Sequence, residues 1–344
     1  MTAPRIQRRT AAAIAVAGTV GTAVAVQRRH LRTLSRDPVY ARLTAPLDGR
    51  ALSLRSADGT PLHAESFGPE DGDTLILGHG WTEQLRYWGP VVERLNERGL
   101  RVVAYDLRGH GSSGPAAGHD YSLQRFGEDL EAVLAAAVGE GERATVVGHS
   151  LGAMSIAAWA EHHNVRARVR AAALLNTGFG DLVTGHRLFG ELAAKWLNNP
   201  WASELVLGSS APLPGFSSPA QQWLLRYCAF GPGARAGDVA FYERMLLECP
   251  PDVRSACAKA MFEMDLWEAV TRLDVPTLVL TGTDDRLTPP AHSERIAEAL
   301  PDLAALVELP RTGHMSPLER PDEVSRALAE LVDRTRTPTS AARA

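Results

Sequence analysis

The sequence predicts an α/β fold in which a mostly parallel sheet is flanked by helices and interrupted by an inserted helical cap. Short apolar runs typical of buried strands alternate with helical stretches over residues 37–177 and again over 268–334. This alternation predicts parallel strands joined by crossover helices. Residues 178–267 lack convincing strands and contain helical pieces separated by turns rich in Pro and Gly. We therefore expect one sheet, with residues 178–267 as the cap.

The predicted elements follow in order along the chain. Strands are predicted where short apolar runs are bounded by turn residues: 51–55, 62–67, 74–77, 101–105, 144–147, 169–175, 276–281 and 305–309. Asp58-Gly59, between the first two runs, is a hairpin signal. Helices are predicted where apolar residues recur on one face or where helix formers follow a strand: 87–98, 123–134, 153–159, 239–247, 252–264 and 324–332.

A pentapeptide between a strand and a helix carries the strongest functional signal. Gly148-His149-Ser150-Leu151-Gly152 follows the strand run 144–147 and precedes the helical stretch 153–159. Glycines two residues to either side of the serine permit a turn so tight that the flanking positions accept almost no side chain. Such a turn lifts the serine oxygen clear of the backbone and places it beside the first N–H groups of the helix. The sequence therefore predicts Ser150 as a nucleophile.

An acid and a histidine follow at the ends of later strands. The run 276–281 leads into Gly282-Thr283-Asp284-Asp285, and the run 305–309 leads to Gly313-His314. Serine, acid and histidine thus occur in the chain order of one known type of catalytic triad. Because loops at the carboxyl ends of parallel strands meet at one edge of a sheet, we expect the three side chains to lie together there. Asp284 and Asp285 are both candidates for the acid.

Together with two further motifs, these residues resemble the serine α/β-hydrolases, the group of esterases, lipases and peroxidase-like enzymes with a helical lid. The further motifs are His79-Gly80-Trp81 and Asp106-Leu107-Arg108-Gly109-His110-Gly111-Ser112-Ser113. The resemblance covers roughly residues 50–177 and 268–334, and its five motifs occur in the order typical of the family. It implies an α/β-hydrolase sheet and a serine mechanism that needs no cofactor.

The resemblance implies a role for each site residue. In the family the acid usually lies three residues after the loop glycine, which favours Asp285 as the acid that orients His314. His314 would then be the base for Ser150. The oxyanion would be stabilised by two backbone N–H groups, one from Leu151 directly after the nucleophile and one from Trp81.

The remaining histidines and glycines near these motifs are not expected to bind a cofactor. His79 and His149 are expected to be structural, with His149 a support or a pocket wall and not a base. Gly109–Gly114 spells G-x-G-x-x-G, but the loop continues where a dinucleotide site needs a helix. No spacing of histidine or cysteine gives a set of metal ligands. We therefore expect neither a cofactor nor a metal ion.

The predicted function is hydrolysis of an ester-type acyl bond in an apolar or amphipathic small molecule, through an acyl-Ser150 intermediate. Other activities of a serine triad stay open, namely perhydrolysis, C–C bond hydrolysis and thioester cleavage, because the cap decides which substrate binds. A non-catalytic, ligand-binding member of the fold is a further alternative. The oligomeric state is not predicted.

Charge is distributed unevenly along the chain. The net charge of the 344 residues is −4, but residues 1–36 contain seven arginines and no acidic residue. The remainder therefore carries 29 basic and 40 acidic residues, a net charge of −11, which makes nucleic acid an unsuitable partner. The three cysteines, Cys228, Cys249 and Cys257, do not form a disulfide framework. A single Cys249–Cys257 bridge is less expected than buried thiols.

The two ends of the chain are predicted to lie outside the hydrolase body. Residues 1–36 form a basic and apolar arm, and residues 335–344 are predicted to be a disordered tail. Residues 11–26 are an uncharged run with arginines on both sides. This run is shorter than the roughly 20 residues of a spanning helix. We nevertheless favour membrane association through residues 5–36. One alternative is a signal that is cleaved near residues 23–25 and leads to secretion, but the arginines after the run would hinder translocation. The other alternative is a plain surface arm.

Overall fold

An eight-stranded sheet lies at the centre of the molecule in the computed structural model, which describes residues 25–182 and 217–336. In chain order the strands are β1 (Arg50–Arg55), β2 (Pro61–Phe67), β3 (Thr74–Gly78), β4 (Arg101–Tyr105), β5 (Ala144–His149), β6 (Val169–Leu175), β7 (Thr277–Gly282) and β8 (Leu303–Leu309). Across the sheet their order is β1-β2-β4-β3-β5-β6-β7-β8. The β1–β2 and β2–β4 pairs are antiparallel and the other pairs are parallel. The predicted, mostly parallel α/β sheet is confirmed.

Helices connect the strands and cover both faces of the sheet. They are α1 (Pro38–Thr44), α2 (Gly89–Asn96), α3 (Leu123–Ala137), α4 (Leu151–His162), α5 (Val165–Arg168), α6 (Pro219–Ala229), α7 (Ala236–Glu248), α8 (Pro251–Glu263), α9 (Trp267–Val270), α10 (Pro290–Ala299), α11 (Ser316–Glu319) and α12 (Pro321–Thr335). Residues 25–34 are also helical. The predicted helix 87–98 is divided into a 3₁₀ turn, Leu85–Trp88, and α2. The division falls at Gly89-Pro90 because proline is favoured in the first turn of a helix.

Alternating residues of the central strands contribute to two hydrophobic clusters, one on each face of the sheet. Ile76, Val146 and Leu174 belong to the cluster that contains the buried faces of α3 and α4. Their neighbours Leu77 and Val147 belong to the cluster that contains α2 and α12. Burial on both faces is typical of parallel strands, and it fixes their register. The loops after β3, β5, β7 and β8 are therefore held at one edge of the sheet.

Helices α6 to α9 are inserted between β6 and β7; α6 to α8 lie within the range 178–267 predicted for the cap, and α9 begins at its last residue. The part of that range from 183 to 216 lies outside the described residues.

The short helix α1, which the sequence did not predict, packs against α7. A Cβ atom added at Gly237 of α7 would lie 2.6 Å from the backbone nitrogen of Tyr40 in α1. Cys228, Cys249 and Cys257 are free thiols.

The N-terminal arm contacts the start of the cap through its described part. His30 Nε2 lies 2.8 Å from Ser217 Oγ, and the amide of Gln27 donates to the Ser217 carbonyl. Within residues 25–182 and 217–336, no helix is both long and apolar enough to cross a membrane. Most of the uncharged run 11–26, and most of the tail predicted from residue 335 onward, lie outside the described residues.

Candidate active site

Ser150 lies in a strained turn between β5 and α4. Its backbone φ and ψ are 49° and −115°, a combination that residues other than glycine rarely adopt. Its N–H donates to the Leu175 carbonyl at 3.0 Å, and its carbonyl accepts from Thr177 Oγ1 at 3.1 Å. Hydrogen bonds to the end of β6 and the residues that follow thus hold the serine in this conformation.

The two glycines of the pentapeptide allow close packing around the serine. A Cβ atom on Gly152 would lie 2.3 Å from the carbonyl oxygen of Gly78, and one on Gly148 would lie 2.3 Å from the backbone nitrogen of Ala153. Both distances are far below van der Waals contact, so these positions accept no side chain. The approach at Gly152 brings the start of α4 against the end of β3.

A buried aspartate–histidine pair is formed by the loops after β7 and β8. His314 Nδ1 lies 2.9 Å from Asp285 Oδ2, and both residues are buried. The backbone N–H groups of Leu287 and Thr288 each donate to Asp285 Oδ1 at 2.9 Å. The Thr288 hydroxyl and the Asn176 amide donate to Oδ2 at 2.9 and 3.0 Å. The carboxylate is therefore supplied with donors on both oxygens.

These contacts keep Asp285 ionised. Burial alone would raise the pKa of its carboxyl. The charge of His314 and the hydrogen bonds from His314, Asn176 and Thr288 nevertheless hold the pKa of Asp285 below its usual range. An ionised Asp285 accepts a hydrogen bond from His314 Nδ1–H, so in a neutral ring the proton stays on Nδ1 and Nε2 is unprotonated. This is the tautomer that a general base requires.

The structure separates the two neighbouring aspartates. Asp284 Oδ2 accepts from the hydroxyl of Thr283 at 3.2 Å, whereas Asp285 contacts His314.

In the part of the chain that the structure describes, the Ser150 hydroxyl and the His314 ring are not hydrogen-bonded to each other. Such contacts often form only when substrate is bound.

Leu151 and Trp81, the residues expected to form an oxyanion hole, lie on adjoining segments. Leu151 is the first residue of α4, and the opening N–H groups of a helix have no acceptor within the helix. Trp81 lies in the loop after β3, which we call the oxyanion loop (residues 79–83). The contact between Gly152 and the end of β3 brings these two segments together.

The ring of His79 fixes the oxyanion loop from within. Its Nδ1–H donates to the Gly80 carbonyl at 2.8 Å, and its Nε2 accepts from the Leu107 N–H at 3.0 Å. Burial lowers the pKa of His79 well below its ordinary value, in keeping with a ring that donates from one nitrogen and accepts at the other. His79 therefore has a structural position, as the sequence suggested.

The cap is hydrogen-bonded to both sides of the site. The indole N–H of Trp81 donates to the Arg254 carbonyl of α8 at 3.0 Å. The His314 N–H donates to the Ala229 carbonyl at the end of α6 at 2.8 Å. The oxyanion loop and the histidine loop are thus each anchored to a different helix of the cap.

Glu319 forms a second link between the cap and the histidine loop. One carboxylate oxygen accepts from the Gly231 N–H at 2.8 Å, and the other accepts from the Gly313 N–H at 2.9 Å. The two backbones are so close that a Cβ atom on Gly313 would lie 2.4 Å from the Gly231 nitrogen. Burial raises the pKa of Glu319 to about 7.

Four polar residues of the site were not identified by the motif analysis: Glu83, Asn176, Thr288 and Glu319. Each is hydrogen-bonded to a segment that carries a predicted site residue. The available signal was the position of Asn176 directly after the buried strand β6 and of Glu83 in the loop five residues after the buried strand β3. A polar side chain at such a place must find a buried partner, but the sequence does not reveal which one.

The glycine-rich segment Gly109–Gly114 forms a closed loop. The Gly109 N–H donates to the Gly114 carbonyl at 2.9 Å, and the next α-helix, α3, begins only at Leu123. The segment therefore does not open a helix as a dinucleotide site would. Over residues 25–182 and 217–336, no group of three or more His, Cys, Asp or Glu side chains is arranged to bind a metal ion.

Comparison with known proteins agrees with this geometry. A family model described as "Serine aminopeptidase, S33" matches residues 70–321. The chain belongs to this family of α/β-hydrolases. The resemblance recognised from the motifs is thereby confirmed.

Two relatives and one solved structure each align with most of the chain. A non-heme haloperoxidase from Rhodococcus erythropolis is 27% identical over 289 residues, which cover 81% of this chain and 98% of that protein. A bifunctional esterase/perhydrolase from Acinetobacter calcoaceticus is 25% identical over 293 residues, with the same two coverages. The structure of a thermophilic esterase from Thermogutta terrifontis superposes with a TM-score of 0.65 at 22% identity, covering 84% of this chain and 100% of that one.

Proposed function

We propose that this α/β-hydrolase cleaves ester-type acyl bonds of apolar or amphipathic small molecules through an acyl-Ser150 intermediate. The observation that carries the proposal is the buried Asp285–His314 pair, with 2.9 Å between Oδ2 and Nδ1. It lies at the sheet edge where β5 ends in the strained turn of Ser150. A serine presented in this way, beside an oriented imidazole, can act as a nucleophile without a cofactor.

Acylation follows from the roles of the side chains. Ser150 Oγ attacks the carbonyl carbon of the ester while its proton passes to His314 Nε2, and Asp285 stabilises the resulting imidazolium. The negative charge that develops on the carbonyl oxygen is stabilised by the backbone N–H groups of Trp81 and Leu151. Collapse of the tetrahedral intermediate breaks the bond to the alcohol oxygen, which takes the proton from His314. The acyl group remains on Ser150.

Deacylation repeats these steps with water as the nucleophile. His314 Nε2 accepts a proton from water, the hydroxide adds to the acyl carbon, and the carboxylic acid leaves as Ser150 regains its proton from His314. Attack by hydrogen peroxide in place of water would release a peracid. Because the Acinetobacter relative is a bifunctional esterase/perhydrolase, perhydrolysis is the second candidate function. C–C and thioester hydrolysis would begin with the same attack by Ser150.

A fluorophosphonate probe and a panel of p-nitrophenyl esters from acetate to laurate test the proposal. Wild-type protein should be labelled and should hydrolyse at least one ester. Ser150→Ala should lose the label and on the order of 10⁴- to 10⁶-fold in kcat, with an unchanged melting temperature. Ser112→Ala, which alters an exposed serine, is the matched control and should behave as wild type. A folded Ser150→Ala variant that keeps its label and its turnover would exclude the mechanism.

We further propose that residues 5–36 associate with membranes. The described part of the arm presents half-exposed Val26 and Leu31 in the same stretch as Arg28, Arg29 and Arg32. Apolar side chains among arginines suit the interface of an anionic bilayer. Full-length protein should sediment with the membrane fraction and stay there in high salt, because apolar burial is not screened.

Three other results of the sedimentation experiment have distinct meanings. Release by salt would show attachment through the arginines alone. A mature protein that begins near Val26 and is found outside the cytoplasm would show a cleaved signal. Protein with an intact N-terminus in the soluble fraction at low salt would exclude both attachment and secretion.

A further inference from the structure

A second carboxylate–histidine pair is buried beside the candidate active site. Glu83 ends the oxyanion loop and is 1% exposed, and His149 immediately precedes Ser150 and is fully buried. His149 Nδ1 lies 3.1 Å from Glu83 Oε2. Charged groups at this depth are costly unless their hydrogen bonds are complete. The remaining contacts of the pair therefore decide what it can do.

Both ring nitrogens of His149 face acceptors. Nε2 lies 2.9 Å from the His314 carbonyl oxygen, which can only accept. Nδ1 faces Glu83 Oε2, which also accepts the Gly80 N–H at 2.6 Å. With Glu83 ionised, both partners can only accept, so the ring donates from both nitrogens and is an imidazolium, a positive His149 paired with a negative Glu83. Burial opposes this charge, but the charge and hydrogen bond of Glu83 raise the pKa of His149 above its ordinary value.

The pair links three segments that carry site residues. The Gly80 N–H, the Glu83 carboxylate, the His149 ring and the His314 carbonyl are hydrogen-bonded in series. At Gly80 the packing leaves no room for a side chain, because a Cβ atom would lie 2.8 Å from His149 Nδ1. The series runs from the oxyanion loop through the end of β5 to the histidine loop.

We propose that Glu83 and His149 are positioning residues that hold the Trp81 and His314 backbones in their catalytic arrangement around Ser150. The proposal rests on the proposed function, since these are the groups that need to be positioned. A misplacement of about 1 Å at such a site can reduce the rate about 100-fold. His149 takes no proton from substrate, because neither ring nitrogen has a free lone pair.

If His149 loses one of its two ring protons, one hydrogen bond of the series should break. A neutral ring has one N–H, so it can donate to Glu83 or to the His314 carbonyl but not to both. The titratable groups that face the ring are Glu83, Tyr87 and His314, the latter two with ring centroids 4.9 Å away. His79 and Asp285 also act on it electrostatically.

Kinetics of matched variants test the positioning role. Glu83→Gln keeps an acceptor for the Gly80 N–H but removes the charge, Glu83→Ala removes both, and His149→Gln removes the ring. Hydrolysis of p-nitrophenyl butyrate should lose about 10- to 100-fold in kcat with KM changed less than about threefold, and Glu83→Gln should lose the least. His162→Gln, which changes an exposed histidine of α4, should match wild type. Folded variants with kcat within about twofold of wild type would overturn the proposal.

Nuclear magnetic resonance of ¹⁵N-histidine-labelled protein tests the charge without any substrate. At pH 7 wild type should show a doubly protonated ring that is missing in His149→Gln and retained in His162→Gln. In Glu83→Gln that ring should become neutral. A neutral His149 ring in wild type between about pH 6 and 7 would overturn the ion pair. Because this signal does not depend on turnover, a wild-type protein that shows it but hydrolyses no ester would refute only the proposed function.

Discussion

The candidate active site contains two buried carboxylate–histidine pairs, and they differ in whether the second ring nitrogen of the histidine has a partner. In the Asp285–His314 pair, Nδ1 is bound to the carboxylate, and Nε2 makes no hydrogen bond within the described residues. In the Glu83–His149 pair, the carboxylate and a backbone carbonyl occupy both nitrogens. The first ring can exchange a proton with a substrate, whereas the second cannot. A carboxylate next to a histidine is thus proposed to serve a base in one pair and a support in the other.

The pairs also differ in which member has a pKa shifted from its ordinary value. The pKa of Asp285 is lowered, since donors on both oxygens outweigh the effect of burial. The pKa of His149 is raised, since Glu83 outweighs the same effect. Burial next to a partner therefore does not assign a role to a histidine by itself. The remaining hydrogen bonds of the ring do so.

The largest expected effect distinguishes Asp285 from its neighbour. Asp285→Asn should reduce kcat about 10⁴-fold, because an amide cannot hold His314 in the tautomer that leaves Nε2 free. Asp284→Asn should stay near wild type, since the Asp284 side chain is hydrogen-bonded only to Thr283 among the described residues. Ester hydrolysis by the two purified variants measures the difference. The reverse ranking would mean that Asp284 is the acid and that the comparison of the pairs is wrong.

An intermediate effect concerns stability against pH. A lowered carboxyl pKa stabilises the fold above the unfolded value of 3.8, and this contribution declines as the pH falls. A raised histidine pKa stabilises the fold below the unfolded value of 6.5, and this contribution declines as the pH rises through the folded value. Urea unfolding at about pH 3, 4, 6 and 8 should show a flatter acid limb, below about pH 4, for Asp285→Asn and a flatter alkaline limb for His149→Gln. Identical pH slopes for wild type and both variants would contradict these assignments.

The smallest effect concerns the tether of the oxyanion loop to the cap. Trp81→Phe removes the indole hydrogen bond to the Arg254 carbonyl but keeps the backbone N–H. The free energy of unfolding should fall by about 1 kcal/mol, while kcat stays within about threefold of wild type. Chemical denaturation and ester kinetics on the same preparation provide both numbers. A loss in kcat as large as that of Glu83→Ala would show that the side chain, and not only the backbone, positions the oxyanion.

The sheet was predictable because strand, turn and helix signals are local. The run ending at Val147 and the glycines at 148 and 152 specify the turn at Ser150 without reference to distant residues. Helix α1 was missed because it is short and is stabilised by its packing on α7. The 87–98 helix is divided because Pro90 suits the first turn of a helix and so begins a new one at Gly89.

Within the site, only residues that belong to a sequence motif were predictable. Ser150 and His314 are carried by glycine-containing loops that the sequence displays directly. Glu83 and Glu319 are single acids without a motif, and their partners lie 66 residues away at His149 and 88 residues away at Gly231. Such pairings are created by the fold, so the protonation of His149 could not be deduced before the contacts were known.

The link that Glu319 forms between the cap and the histidine loop limits how the cap of this enzyme can be exchanged. Exchanging the cap for that of a relative is an obvious route to new substrates. The graft would have to keep Phe230 and Gly231 in place, because a Cβ atom on Gly313 would lie 2.4 Å from both residues. A cap with a different backbone path at residues 230–231 would push on the loop of His314 even if it never touched the substrate. The usable junction for such chimeras therefore lies on the N-terminal side of residue 229, and the segment from there to α7 should travel with the hydrolase body.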